Sequence, residues 1–361
     1  MKCSLFFFLL PIVVCANADK DQAEKRISRE FAIQSDARIQ LDNKFGNIDI
    51  AIGPSNKVKI DIIITVKASN EKKAQESLDR ISVNFEEGNN RVNAETTIES
   101  ASGWTSWLSR GNVEMSINYN VTVPPDVYLD LTNKYGDIYL ETINRNINID
   151  HSFGDIRLGD INAKLNLQLA FSKGAISMIG DGVLDLSHSD LEMEDAKNVV
   201  MDLKYSNVKA GSFQKLRLAS EFTDFTANSL ADVDYDGKYD NLTIGQATHI
   251  TAQSGFTEIT IQELNGEGVF DMRYGELNIE NIRREFLKLS ISASFTGVNL
   301  DFVADASYSF DVETKYCEII HSGLNVSENV DKGESHSLKG NKGNGTKPVI
   351  IRMNYGELRI L

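Results

Sequence analysis

Residues 201–244 read MDLKYSNVKAGSFQKLRLASEFTDFTANSLADVDYDGKYDNLTI, and their reading decides the fold. Three eight-residue phrases stand in register within them: LKYSNVKA at Leu203, SEFTDFTA at Ser220 and GKYDNLTI at Gly237. The phrase recurs in both directions. Upstream it is NKFGNIDI at Asn43, NKYGDIYL at Asn133, HSFGDIRL at His151, FSKGAISM at Phe171 and LSHSDLEM at Leu186. Downstream it is SGFTEITI at Ser254, MRYGELNI at Met272, ASFTGVNL at Ala293, TKYCEIIH at Thr314 and MNYGELRI at Met353, thirteen copies in all.

The slots behave consistently. The third is aromatic in eleven of the thirteen, with Lys173 and His188 as exceptions. The fourth is small or turn-prone, as at Gly46, Gly136, Ser189, Thr257 and Cys317. The fifth is Asn, Asp or Glu in eleven copies, the sixth is apolar in all, and the eighth is apolar in all but His321. Third slots follow one another at steps of 15 to 21 residues from Tyr135 to Tyr316, and a final step of 39 reaches Tyr355.

Before each aromatic slot, apolar residues alternate, as in Met201, Leu203, Tyr205 and Leu289, Ile291, Phe295; after it, Ile259 and Ile261 continue. Period two means strand. The phrase shifts parity by one residue, as a bend or bulge does, and Gly, Asn and Asp suit such a corner. A unit of ~17 residues is too short for a strand–helix–strand crossover and far short of a propeller blade of ~40. It matches one coil of a β-solenoid, with like residues stacked ~4.8 Å apart in parallel strands. About twelve coils make a rod of ~55 Å at that spacing. The fold class is therefore all-β: a parallel β-solenoid of short coils, preceded by a β-rich N-terminal segment containing one short helix. The aromatic column shares the phase of the inward residues, which predicts an internal aromatic stack; facing outward it would be a platform for sugars.

The N-terminal segment reads differently. Val58, Ile60, Ile62, Ile64 and Val66 alternate as one long strand. Asn70 can cap a helix with the face Ala74, Leu78 and Ile81. Strands follow near 81–85, 91–98 and 113–123, and Pro124-Pro125 stops the last. Residues 19–125 are expected to cap the solenoid, which occupies 126–361. Residues 322–348, rich in Gly, Asn, Lys and Ser, are expected to form a flexible excursion.

The chain has 361 residues, 41% of them hydrophobic and 25% charged, which is a globular composition. Its formal net charge of -15 argues against nucleic acid, because a phosphate backbone needs a basic face. Lys2, the apolar run from Leu5 to Val14, and Ala16-Asn17-Ala18 form a signal peptide over residues 1–18, with cleavage before Asp19. The rival reading is a lipoprotein modified at Cys15, for which Val14 is a poor neighbour. Cleavage leaves Cys317 as the single thiol, so no internal disulfide is expected. No later segment is apolar enough to span a membrane. The chain is therefore expected to be exported, to the periplasm, the outer membrane or the surface.

These features carry a resemblance. The phrase FGNIDI at Phe45, VTVPP at Val121, NKYGDIYL at Asn133, the serial corners and the closing YGELRI at Tyr355 resemble an adhesin-like β-strand-repeat family of unknown function, close to an autotransporter adhesin head domain. The resemblance implies an exported parallel solenoid and supplies no catalytic residue.

The slots carry candidate chemistry. Asp137, Asp155, Asp190, Asp224, Glu258, Glu276, Glu318 and Glu357 could form a carboxylate ladder that binds Ca²⁺. Asn207 and Asn241 interrupt it, and the Gly-rich calcium nonapeptide is absent, so a column of turn residues is the expectation. His151, His188, His249, His321 and His336 are scattered, and no metalloprotease, nucleophile-elbow or P-loop motif occurs. Cys317 reads as a packed small residue. Trp104 and Trp107, in SGWTSWLSRG, either present an exposed pair to a partner or lipid surface or fold back. No catalytic, cofactor or metal residue is assigned, and no cofactor is expected. The leading reading is a non-enzymatic interaction module for a protein or glycan at the cell envelope. The alternative is a carbohydrate-active enzyme, a polysaccharide lyase or hydrolase, on the same fold; carboxylates converging in a groove would favour it.

Overall fold

The structure, a computed structural model, describes residues 21–99 and 113–361. The signal peptide, Cys15 and the Trp104/Trp107 segment lie outside them.

The chain opens with β1 (Asp21–Ala32), β2 (Arg38–Lys44), β3 (Ile48–Ile52) and β4 (Lys57–Ala68). Helix α1 (Glu71–Leu78) follows, then β5 (Ile81–Gly88), β6 (Arg91–Ile98) and β7 (Glu114–Val123). The Asn70 side chain accepts the Lys73 N–H, and Ala74 and Leu78 are buried, as the spacing predicts. The coils continue through β8 (Tyr128–Lys134), β9 (Ile138–Leu140), β10 (Ile147–Ser152), β11 (Asp155–Leu158) and β12 (Ile161–Ala170). Longer strands wrap whole coils: β13 (Lys173–Ser187), β14 (Asp190–Lys204), β15 (Asn207–Glu221), β16 (Asp224–Lys238), β17 (Asn241–Ile282) and β18 (Lys288–Phe302). The last are β19 (Tyr308–His321), β20 (Asn325–Asp331), β21 (Ser335–Lys342) and β22 (Pro348–Ile360).

From β8 to β18 successive coils pair in parallel. The register keeps like slots together: Leu184 faces Met201, then Leu218, Tyr235 and Ala252 in turn. All five are buried, so the core is a set of columns running along the rod. In β14, Leu191, Met193, Ala196, Val199, Met201 and Leu203 point inward. Burying each large apolar side chain contributes roughly 1.5–3 kcal/mol, and only a stack of coils covers both sides of it. Adjacent exposed residues at Glu194–Asp195, Lys197–Asn198 and Lys204–Tyr205 mark three corners per coil.

Both ends depart from simple winding. At the N-terminal end, β2 and β3 already form a coil, parallel to β8 and β9. The other edge of that coil pairs with β6 and β7. Antiparallel β5 extends β6, while β4 and β1 extend β7. At the C-terminal end, β22 lies between β18 and β19, parallel to both. The 39-residue step therefore returns the chain into an interior place. The stretch at 322–348 carries an ordered pair, β20 and β21, antiparallel to each other and docked on β19. No helix among the described residues is long and apolar enough to cross a membrane.

Candidate functional site: an exposed aromatic ladder

The repeated corner has one recurring departure from ordinary strand geometry. Phe45, Tyr135, Phe153, Phe171, His188, Tyr205, Phe222, Tyr239, Phe256, Tyr274, Phe295, Tyr316 and Tyr355 all have φ between 51° and 63°. The left-handed region is unfavourable for bulky side chains, by about 1–2 kcal/mol each. The conformation is held by hydrogen bonds on both sides. The Tyr205 N–H donates to the Glu221 carbonyl of the next coil, and the Asn207 N–H donates to Ser189 of the coil before.

The residue between them turns inward and completes the corner. The Ser206 hydroxyl donates to the Lys204 carbonyl at 2.8 Å and accepts the Ser189 N–H at 3.2 Å. Ser189, in the coil before, does the same for Ser187 and Ser172. Where that slot is glycine, no side chain fits: a Cβ on Gly154 would collide with the Gly136 carbonyl. An asparagine then does the polar work from the inward slot before the ring. The Asn133 amide donates to the carbonyls of Gly46 and Asp137.

The left-handed residue also settles which way the ring points. It breaks the alternation at the aromatic residue itself, so Leu203 and Ser206 point in while Lys204 and Tyr205 both point out. This corrects the expected internal stack. Eleven of the rings are 41–54% exposed. They form one continuous ladder from Phe45 to Tyr316, with centroids 4.7–5.2 Å apart and planes within 25° of parallel. Tyr355 stacks between Phe295 and Tyr316, following the insertion of β22. The two apparent exceptions disappear. The phrase at Phe171 was set two residues late: Phe171 is the ring, and Lys173 occupies the turn slot beyond it. His188 stacks between Phe171 and Tyr205 at 4.8 and 5.0 Å.

Face-to-face stacking has a chemical consequence. Each ring covers its neighbours' faces, so the ladder presents ring edges and tyrosine hydroxyls to solvent. A sugar cannot lie flat on an interior ring. The ladder is a strip roughly 58 Å long at ~4.8 Å per coil, dressed on one flank by cations. The Lys134 ammonium lies 5.1 Å from the Tyr135 ring and 5.6 Å from Phe153.

The fifth-slot carboxylates stand beside the ladder as turn residues. The Asn207 amide donates to Asp190 at 2.8 Å, the Asn241 amide donates to Asp224 at 2.7 Å, and Asp137 accepts the Asp155 N–H at 2.8 Å. Lys173, Asn207 and Asn241 thus separate like charges in the middle of the column, while Glu318 and Glu357 stand side by side near its end. No cluster of three metal-ligating side chains occurs among the described residues.

The histidines do not converge. His151 is 1% exposed with neither ring nitrogen hydrogen-bonded, and burial lowers its pKa. His249 and His321 are exposed, and His336 lies 3.2 Å from Asp331. Cys317 fills its corner slot, and burial raises its thiol pKa. Reading by slots missed one buried centre. Asp240 accepts the hydroxyls of Ser220 and Tyr235 and the Thr223 N–H, each at 2.8 Å. Desolvation raises its pKa. Gly237 makes room for it, since a Cβ there would press on the Asp240 carboxylate and Tyr235 hydroxyl. The sequence signal was available: Asp240 sits in a slot that otherwise holds Gly, Ser, Thr or Cys.

An open trough of about 1130 Å³ lies on the sheet face beyond the corner. Six carboxylates line it: Asp49, Asp61, Glu141, Glu192, Glu194 and Asp195. Asp49 and Asp61 flank Asn120 in register. Asp61 is paired with Lys59 and Ser28, which lower its pKa, and Glu192 is bridged to Lys209 at 3.3 Å.

The chain is similar, at low identity, to several solved structures. A candidate adhesin from Bacteroides fragilis NCTC 9343 shares 11% identity at TM-score 0.36, over 63% of this chain and 97% of that one. A candidate adhesin from Parabacteroides distasonis ATCC 8503 shares 11% at TM-score 0.31, over 77% and 94%. A candidate lipid-binding protein from the same organism shares 11% at TM-score 0.25, over 93% and 96%. No curated protein matches. Residues 37–361, from the first coil to the last strand, match a family described as Toastrack DUF4097, and the chain belongs to that family.

Proposed function

We propose that the protein is an exported, non-enzymatic, adhesin-like interaction module of the cell envelope, and that the aromatic ladder is its contact surface. The observation that carries this reading is the exposure of the ladder. A run of rings held at positive φ costs backbone energy at every coil, yet the rings stay about half exposed. Scattered surface aromatics need no explanation, but a continuous apolar strip marks an interaction site. Export rests on the signal peptide read at residues 1–18. The pairing of Asp61 with Lys59 and of Glu192 with Lys209 in the trough favours a module over a polysaccharide-cleaving enzyme.

The test is retention of the purified mature chain by isolated cell envelopes. Phe222→Asn with Phe256→Asn removes two rings while keeping a residue that tolerates the left-handed region. Retention by the unaltered chain, lost in the double variant at unchanged fold, is the expected result. Equal retention of both, or none by either, overturns the reading.

A further inference from the structure

We propose that the groove flanking the ladder between Asp202 and Tyr274 binds an uncharged linear glycan whose structure repeats every two sugars. This rests on the ladder being a contact surface and names what it contacts.

The observation is an alternation with a period of two coils. Along the ladder the rings run Tyr205, Phe222, Tyr239, Phe256, Tyr274, Phe295. The strand leading to each ring exposes two more side chains, and these alternate in step. The Tyr239 coil carries Asp236 and Lys238; the Phe256 coil carries Gln253 and Gly255, in register with them. Next come Asp271 and Arg273 with Tyr274, then Ser292 and Ser294 with Phe295. The series begins with Asp202 and Lys204 before Tyr205, followed by Ala219 and Glu221 before Phe222. Every tyrosine in the run is thus preceded by an acid and a base, and the phenylalanine coils between lack that pair. The exposed pairs from Asp202 and Lys204 to Asp271 and Arg273 line a groove of about 750 Å³, and Ser292 and Ser294 continue the series beyond it. The groove deepens at Gly255, where a Cβ would meet nothing nearer than 3.9 Å.

The repeat length selects the ligand. Ring steps of 4.9 and 4.8 Å separate Tyr205 from Tyr239, so the chemistry recurs about every 10 Å along the rod. An extended peptide repeats its side-chain direction every two residues, at ~6.6–6.8 Å, and falls out of step within one repeat. A polyproline helix repeats near ~9.3 Å, but it docks between exposed aromatic faces, and these faces are covered. A chain of β-1,4-linked pyranoses turns each sugar over relative to the last, so two sugars make one repeat of about the right length. Carboxylate, ammonium, guanidinium, amide and phenol groups together suit a hydroxyl-rich ligand. An acidic polymer is disfavoured: Lys204 lies 3.7 Å from Asp202 and Lys238 lies 3.2 Å from Glu221, so those cations are already neutralised.

The test titrates the full mature chain with N-acetylated chitin oligosaccharides and with cello-oligosaccharides of two to six sugars, by calorimetry. Two variants probe opposite flanks of the ladder. Gly255→Leu fills the groove. Gly297→Leu adds the same bulk on the other flank, where only the Glu276 Cγ lies within reach, at 3.8 Å. Equal thermal melts show that both fold. The expected result is binding in at least one series, with affinity rising at each added pair of sugars. Gly255→Leu then weakens it by about tenfold or more, a change of ~1.4 kcal/mol, and Gly297→Leu leaves it unchanged. The proposal is overturned if neither series binds, if the two-sugar step is absent, or if the two variants behave alike. Preference for a proline-rich peptide, or self-association abolished by Gly255→Leu, also overturns it. Envelope retention that survives any of these outcomes keeps the contact-surface reading and discards only the glycan.

Discussion

A bulky residue at positive φ is uncommon once, and here it recurs at one corner of every coil. The ring at that position contributes less than a core aromatic, because roughly half its surface stays in water. Replacing Phe256 by Asn removes two ring contacts, worth about 0.5–1.5 kcal/mol each, but relieves left-handed strain of ~1–2 kcal/mol. The net loss should be under about 2 kcal/mol. Ser206→Ala is the sharper change: it leaves the buried Ser189 N–H without its partner, at about 1–3 kcal/mol, and takes from the Lys204 carbonyl one of two donors, the His188 N–H remaining. Urea midpoints for the two variants should rank Ser206→Ala as the more damaging; the reverse order would mean the ring, not the hydroxyl, holds the corner. This contrast could not be read from the phrase alone. Tyr205 follows Met201 and Leu203 in perfect alternation, and only its φ of 51° reveals that the alternation stops there.

Burial of His151 gives a pH effect whose sign is fixed. Its folded pKa lies below the unfolded value of ~6.5, because burial disfavours the charged ring. Stability is therefore fully present above that value and declines as pH falls below it, by up to ~1.4 kcal/mol per unit, until the folded pKa is reached. Asp137, Asp150 and Asp155 nearby, and the Gly154 backbone, act the other way and moderate the shift. His151→Asn places the Asn133 solution in the same inward slot, in register with it. Thermal melts should show the variant losing less stability than the parent between pH 7 and pH 5. Equal losses would mean that His151 titrates as in the unfolded chain.

At the scale of the element, a coil is stable only when each outward column tolerates its own repetition. The column Asp190, Asn207, Asp224, Asn241 alternates acid and amide, and each amide donates to the acid before it. Asn207→Asp would align three carboxylates across adjacent strands. Like charges directly opposite are destabilising by a few tenths to ~1 kcal/mol, and salt screens exposed charges. The variant should melt lower at low salt and recover much of the difference at high salt; a salt-independent deficit would point to lost hydrogen bonds instead. This column was legible as turn chemistry because Asn and Asp share turn preferences. The helix was legible for a similar reason, since Asn70, Ala74 and Leu78 act within one turn of their own chain. The Asp240 centre was legible only as an acid in a small-residue slot; its partners were not, because Ser220, Tyr235 and Thr223 come from three different places along the coils.

At the scale of the molecule, a solenoid is a one-dimensional array in which each coil is stabilised by its neighbours. Spacing alone revealed that array, down to the 39-residue final step, but not where the last coil goes. Strand order in space is set by which edges remain open, and that is a property of the assembled rod. The answer is that β22 sits between β18 and β19, so two interfaces depend on the final strand. Deleting residues 348–361 should therefore do more than trim an end. It opens the edges of β18 and β19 and cuts the aromatic ladder between Phe295 and Tyr316. Nearest-neighbour coupling predicts local damage: β19, β20 and β21 lose their place, β18 frays, and β12 to β15 keep their partners on both sides. Hydrogen exchange measured strand by strand on the shortened chain separates the possibilities. Fast exchange confined to β18 through β21, with protection retained from β12 to β15, is the expected pattern. Uniform loss of protection would show that the rod folds as one cooperative unit, with β22 as its closing element.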